Sequence, residues 1–199
     1  FDLTDIKNID YKISKINPDI IINCAAYTNV DKAEFEENLA TVINFNAVDS
    51  LSKWSSANKS KFIHISTDYV FDGTSSVPLT EEAKTSPINM YGKTKLKGEK
   101  ACLYNDPNCI VIRTSWVYSI YGKNFVKTIS SLMSQKNCLD IIDDQIGSPT
   151  YAKDLAETII NIINYKDWIS GLYHYSNEGE VSWFDFAKSI KKYHGFSTR

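Results

Sequence analysis

Three apolar runs, separated by segments of helical period, constrain this chain more than any other feature. Ile20 to Ala26, Phe62 to Ser66 and Cys109 to Arg113 are short and rich in β-branched residues, the pattern of strands buried in a parallel sheet. Before the first run, Ile6, Ile9, Ile13 and Ile16 recur at three and four residues, one face of a helix capped by Thr4 or Asp5 and stopped by Asn17-Pro18-Asp19. Between the first and second runs, Ala40, Ile43, Ala47, Leu51 and Trp54 place a long helix within Asp31 to Asn58. Between the second and third, a loop with Pro78 and Pro87 leads to a helix from about Tyr91 to Leu103. Strand and helix alternate over short connections, which predicts an α/β fold, a doubly wound and mostly parallel sheet.

Downstream the pattern predicts helices over Phe125 to Met133, Ala152 to Ile163 and Ser182 to Tyr193, with strands over Leu139 to Ile142 and Gly171 to Tyr175. The division expected is 1–142 as the sheet domain and 143–199 as a small C-terminal substrate-binding part interleaved with it. In 199 residues, 22 Lys and Arg stand against 24 Asp and Glu, a net charge of −2 with no long run of one sign. A mainly electrostatic role on nucleic acid or a membrane surface has no support in that balance. No apolar run approaches the roughly 20 residues of a membrane span.

Cys24, Cys102, Cys109 and Cys138 are widely spaced and match no metal-finger pattern, so no metal site is expected and free thiols in a cytoplasmic protein are. Cys24 and Cys109 fall within apolar runs and read as small buried hydrophobes. His64 lies within a strand, where a buried, hydrogen-bonded core residue is the simplest account. Asp143 and Asp144 are adjacent and point different ways, as in a strand-end loop.

Ligands of doubly wound sheets lie beyond the carboxyl ends of the strands, which directs attention to Asn23 to Thr28, Ser66 to Gly73 and Thr114 to Tyr118. Tyr91 and Lys95 stand four residues apart at a helix start and share one face. An ammonium beside a phenol favours the phenolate and brings the hydroxyl toward acid or base work. The same spacing also fits an exposed helix turn, and Thr67, delivered by the second strand, also fits an ordinary turn hydrogen bond.

Five segments then share a resemblance that covers the whole chain: Asn23 to Glu34, Ile65 to Gly73 (I-S-T-D-Y-V-F-D-G), Tyr91 to Lys95 (Y-G-K-T-K), Arg113 to Tyr118 (R-T-S-W-V-Y) and Asp143 to Thr150 (D-D-Q-I-G-S-P-T). In that order they resemble the dTDP-4-dehydrorhamnose reductase family, within the extended short-chain dehydrogenase/reductase superfamily. The resemblance implies a Rossmann-like fold and reduction of the C4 keto group of dTDP-4-dehydro-β-L-rhamnose, with NADPH or NADH as cofactor. It implies Thr67, Tyr91 and Lys95 as catalytic residues: Tyr91 the proton donor, Lys95 the holder of the nicotinamide ribose, Thr67 the group that polarises the carbonyl.

By the same resemblance Asp2, Leu3, Ala25, Ala26, Tyr27 and Thr28, with Tyr91 and Lys95, are implied at the cofactor, and Thr67, Asp68 and Trp116 at the dTDP-sugar substrate. A homodimer is compatible with it. None of the 8 glycines forms the G-x-x-G-x-x-G turn whose amides meet a dinucleotide pyrophosphate. The expectation is therefore a chain cut at both ends that binds NADPH poorly by itself. A catalytically silent dinucleotide-binding regulatory relative, and an epimerase or dehydratase of another nucleotide sugar, are the alternatives.

Overall fold

Asn17, with φ of 47°, ends the first helix in the left-handed conformation, and Pro18 prevents its continuation. The turn places the chain for its first strand in the computed structural model, which describes residues 1–197. In chain order the elements are α1 (Ile9–Ile16), β1 (Ile20–Asn23), α2 (Val30–Ala33), α3 (Glu37–Thr41), α4 (Ala47–Asn58), β2 (Lys61–Thr67), α5 (Met90–Asn105), β3 (Ile110–Thr114) and β4 (Val117–Tyr118). There follow α6 (Phe125–Met133), β5 (Ile146–Gly147), β6 (Thr150–Tyr151), α7 (Ala152–Asn164), β7 (Gly171–His174), β8 (Val181–Ser182) and α8 (Trp183–His194).

The chain forms two compact units. The first holds Phe1–Arg113 and Ile169–His174; the second holds Thr114–Trp168 and the chain from Tyr175 on. The boundary thus falls at Arg113, ahead of the boundary at 142 read from the sequence, and β7 returns to the first unit.

The first unit is built on a sheet of order β1-β2-β3-β7, with β1 parallel to β2 and β3 parallel to β7. Its core joins Ile9 and Ile13 of α1, Val48, Leu51 and Trp54 of α4, Phe62, Cys102, Cys109 and Val111. Residues this apolar on β2 and β3 are explained by cover on both faces. On β1, however, Ile22 is 40% exposed and Cys24 beyond it is exposed, so the expectation of a strand covered on both faces, with a buried Cys24, is corrected. β1 pairs only with β2 among the described residues.

A further correction concerns the first helix. Neither Thr4 nor Asp5 caps α1: a 3-10 turn over Ile6–Asn8 precedes it without a side-chain cap, and Asp5 instead accepts from Asn8 Nδ2 and Lys12 Nζ. The helical region expected within Asp31 to Asn58 comprises α2 and then a run without a gap in which α3, a π turn at Val42–Asn46 and α4 follow one another. The wider π turn carries Asn44 fully into the interior, and such turns accompany functional geometry often enough to direct attention there.

In the second unit β4 pairs in parallel with β6, and β5 pairs antiparallel with β8. Helices α6 and α8 bury Ile129, Met133, Ala187 and Ile190 between them. The strand expected over Leu139 to Ile142 is irregular. Leu139 and Ile141 pack on that apolar cluster, and Ile142 accepts one backbone bond from Phe184, too little for a ladder.

Candidate active site

Helix α5 starts under firm control. Asn89 caps it by accepting from the Gly92 amide at 2.8 Å, and the Glu34 carboxylate accepts from the Met90 amide at 2.7 Å. Both bonds satisfy amides that the first turn of a helix leaves without partners. Tyr91 is thereby fixed against Tyr69 in an edge-on ring contact, with centroids 5.4 Å apart.

β2 delivers Thr67 to the same place. The 3-10 turn Asp68–Val70 begins immediately after it, and the Tyr69 amide donates to Thr67 Oγ1 at 3.3 Å. The Thr67 hydroxyl donates to Asp68 at 3.0 Å, and Thr67 lies close enough to Tyr91 to act on its phenol. Thr67, Asp68 and Tyr91 thus form one cluster at the carboxyl end of β2, where the strand-end rule expects ligands.

The electrostatics differ from the sequence expectation. Burial pushes the Tyr91 phenol up to about 12; the nearby Thr67 hydroxyl opposes the rise, and Asp68 and Tyr69 add to it. The expected lowering of Tyr91 by Lys95 is not met. Lys95 is 2% exposed, and its Nζ donates to the Ile65 carbonyl at 2.6 Å. Burial brings Lys95 down to about 8 against the opposing pull of Glu99 and Cys24. Burial also raises the Asp68 carboxyl to about 6, with hydrogen bonds from Thr67 and the backbone resisting. The cluster therefore presents a neutral phenol and a lysine able to exchange its proton near physiological pH.

The loop Ala25 to Thr28 leaves β1 beside this cluster's helix. Asn44 accepts from the Tyr27 amide at 2.8 Å, donates to the Tyr27 carbonyl at 3.1 Å, and donates to Thr94 Oγ1 of α5 at 3.1 Å. Ala25 and Thr28 stay exposed. The Tyr27 hydroxyl donates to Glu36 at 2.5 Å. Near the chain start, Asp2 accepts from the Thr4 amide and hydroxyl, both at 2.8 Å, and Leu3 packs on the core of the first unit. Sequence reasoning missed Asn44; an Asn within a helical apolar rhythm was the available signal.

It also missed the anchor of the loop between β2 and α5. Arg113 and Glu99 form a buried ion pair. Ser66 donates to the same carboxylate at 2.9 Å, while Arg113 Nη1 donates to the Glu81 carbonyl at 3.2 Å. The guanidinium lies 5.1 Å from the centre of the Phe71 ring, so one charge pair touches this loop at Phe71 and at Glu81.

Trp116 belongs to the second unit. It takes a φ of 48° and stacks on Trp183, with ring centroids 3.5 Å apart and planes 10° from parallel. The D-D-Q-I-G-S-P-T segment seats the pair. Gln145 accepts from the Trp183 indole at 3.3 Å, and a Cβ on Gly147 would lie 2.7 Å from the Trp116 ring. Asp143 accepts from the Ser182 hydroxyl, and the Ser148 carbonyl accepts from Ser115 at 2.6 Å. Trp183 went unrecognised in the sequence because an aromatic at a helix start reads as packing.

Among the described residues no group of three or more His, Cys, Asp or Glu side chains is placed to hold a metal ion, and no helix is long and apolar enough to cross a membrane. The profile of the RmlD substrate binding domain matches residues 1–198. The chain is 42% identical over 192 residues to dTDP-4-dehydrorhamnose reductase of Salmonella typhimurium, covering 95% of this chain and 64% of that protein. It is 39% identical over 196 residues to the spore coat polysaccharide biosynthesis protein SpsK of Bacillus subtilis, covering 98% of this chain and 68% of that one. A crystal structure of dTDP-4-dehydrorhamnose reductase from Bacillus anthracis in complex with NADP superposes with a TM-score of 0.95 at 41% identity, over 100% of this chain and 71% of that one. The chain thus spans about two thirds of the length of these relatives.

Proposed function

The chain belongs to the RmlD substrate binding domain family, and on that premise we propose that it carries the catalytic residues of an NADPH-dependent reductase. The substrate in this reading is dTDP-4-dehydro-β-L-rhamnose, reduced at its C4 keto group to give dTDP-L-rhamnose. One observation carries the proposal. Thr67, Asp68 and Tyr91 come together at the carboxyl end of β2, Thr67 donating to Asp68, with a buried lysine one helical turn beyond Tyr91.

The chemistry follows from the charges. When bound, NADPH supplies the hydride that reduces C4. Negative charge then grows on the carbonyl oxygen, and groups that donate to that oxygen stabilise the transition state more than the ground state. Tyr91, held neutral by a pKa of about 12, keeps its proton at physiological pH until an alkoxide, a stronger base than its phenolate, removes it. Thr67 turns its hydroxyl from Asp68 to the same oxygen. The ketone gains one hydride and one proton, and Tyr91 is left as the phenolate.

The donor set fits the nicotinamide-ribose half of the cofactor. Lys95 spends one N–H on Ile65 and keeps donor capacity for ribose hydroxyls, and Ala25 and Thr28 of the loop after β1 are exposed. Asp2 and Leu3 are assigned to the adenine side. Asp68, and Trp116 stacked with Trp183, are assigned to the sugar nucleotide. Exposed free thiols at Cys24 and Cys138 suit the reducing cytoplasm.

The test pairs calorimetric titration of NADPH and dTDP-sugar with a turnover assay, on this chain and on a polypeptide of the relatives' length. Keto-sugar-dependent oxidation of NADPH supports the reading. Binding without turnover in the longer form points to a silent dinucleotide-binding relative, and an epimerised or dehydrated product points to another nucleotide-sugar enzyme.

A further inference from the structure

His64 of β2 is fully buried, and the reductase chemistry gives it no task. Its ring lies between two polar side chains from neighbouring elements. Asn23, its register partner on β1, places Nδ2 3.1 Å from His64 Nδ1. Lys95 of α5 places Nζ 3.5 Å from His64 Nε2.

The first link sets the direction of the chain. The Ala25 amide donates to Asn23 Oδ1 at 3.2 Å, so the carbonyl end of the side chain is held by the strand-end loop and the NH₂ end faces the histidine. An NH₂ group only donates, so Nδ1 accepts; a neutral imidazole that accepts at Nδ1 carries its proton on Nε2. The ring is neutral, because burial holds its pKa well below the usual histidine range. The Nε2–H then faces Lys95 Nζ. An ammonium has no lone pair to receive it, whereas a neutral amine has one.

We infer that Asn23 fixes His64 as the Nε2-protonated tautomer, and that His64 is a positioning residue which aims a donor, rather than an acceptor, at Lys95 and so favours its uncharged form. The other groups around Lys95 act differently. The Ile65 carbonyl of β2 accepts from it, while the Cys24 thiol after β1 and the Glu99 carboxylate on its own helix favour the ammonium. Glu99 is already engaged by Arg113 and Ser66, which leaves His64 Nε2–H and burial acting together toward proton release. The tautomer and its effect on Lys95 belong to the protein without ligand; only their bearing on turnover rests on the reductase reading.

Heteronuclear NMR of histidine-labelled protein reads the tautomer without any substitution. The expected signal is a protonated Nε2 and a bare Nδ1, and a protonated Nδ1 overturns the inference. Asn23→Asp tests the coupling, because a carboxylate still accepts from the Ala25 amide but now also accepts from Nδ1–H, which reverses the imidazole, and the same change in a His64→Phe background measures, for subtraction, what the added charge alone does to Lys95. The His64 signal should switch to the Nδ1-protonated form, and Lys95, followed by the shift of its labelled Cε, should hold its proton about tenfold more tightly, one pKa unit. A switched tautomer with Lys95 unmoved overturns the coupling, as does a Lys95 shift with the tautomer unchanged. Neither readout depends on turnover, so the reductase reading can fail separately.

Discussion

A Cβ added to Gly92 would sit 2.1 Å from the Tyr69 carbonyl oxygen. The first turn of α5 and the turn after β2 are therefore in backbone contact, and that closeness brings the Tyr91 phenol to Thr67. Because the obstacle is backbone and also the floor of the cluster, it cannot swing aside. Gly92→Ala should destabilise the protein by about 1–3 kcal/mol, the usual range for overpacking. Thermal unfolding checks it, with a fall of about 2–4 °C per kcal/mol at this chain length. A variant as stable as the parent would mean that the two backbones have room to separate.

Tyr91→Phe removes the proton donor and keeps the ring that meets Tyr69 edge-on. In a polypeptide of the relatives' length, turnover should drop by about 10²–10⁴, the range typical of a lost general acid. The NADPH dissociation constant and the unfolding midpoint should change little. Equal loss of cofactor affinity would mean that the hydroxyl holds ligand rather than protonating substrate.

Much of the first unit was legible because burial on two faces leaves a strong mark: the apolar runs at Phe62 and Cys109 became β2 and β3 nearly residue for residue. The helix at Phe125–Met133 was equally plain from its period. What escaped was set by single polar contacts. Nothing in apolar spacing announces that Asn44, in a π turn of the helix that ends at Asn58, holds the Tyr27 backbone. Leu139 to Ile142 looked like a strand because residues packed on a helix pair and residues in a ladder are equally apolar. Tyr91 and Thr67 were visible as residue types, but the turning of Lys95 toward Ile65 depends on burial that spacing cannot express.

The Glu99 and Arg113 pair is almost wholly buried, so removing one partner leaves an uncompensated charge. Glu99→Leu should cost about 3–5 kcal/mol, while Glu99→Leu with Arg113→Met should recover much of that loss. Urea unfolding of both variants decides the matter. The double variant should also loosen the loop around Glu81, whose carbonyl Arg113 holds, and hydrogen exchange there should rise. Similar stability for the single and double variants would count against a desolvated pair.

Asp68 gives the stability of the protein a dependence on acid that runs opposite to most carboxylates. Its pKa rises from 3.8 to about 6 on folding, chiefly through burial. Between those values the folded form holds a proton that the unfolded form has released, so stability falls as pH rises through that window. The contribution is complete below about pH 4 and gone above about pH 6, and a rise of that size bounds it at about 3 kcal/mol. Asp68→Asn should abolish this component, so the difference in unfolding free energy between variant and parent should grow in favour of the variant from pH 4 to pH 6 and then level off. Denaturant titrations across that range check it. A constant difference would mean that the carboxyl titrates in the folded protein as it does in the unfolded chain, and that the Thr67 hydroxyl faces a carboxylate throughout.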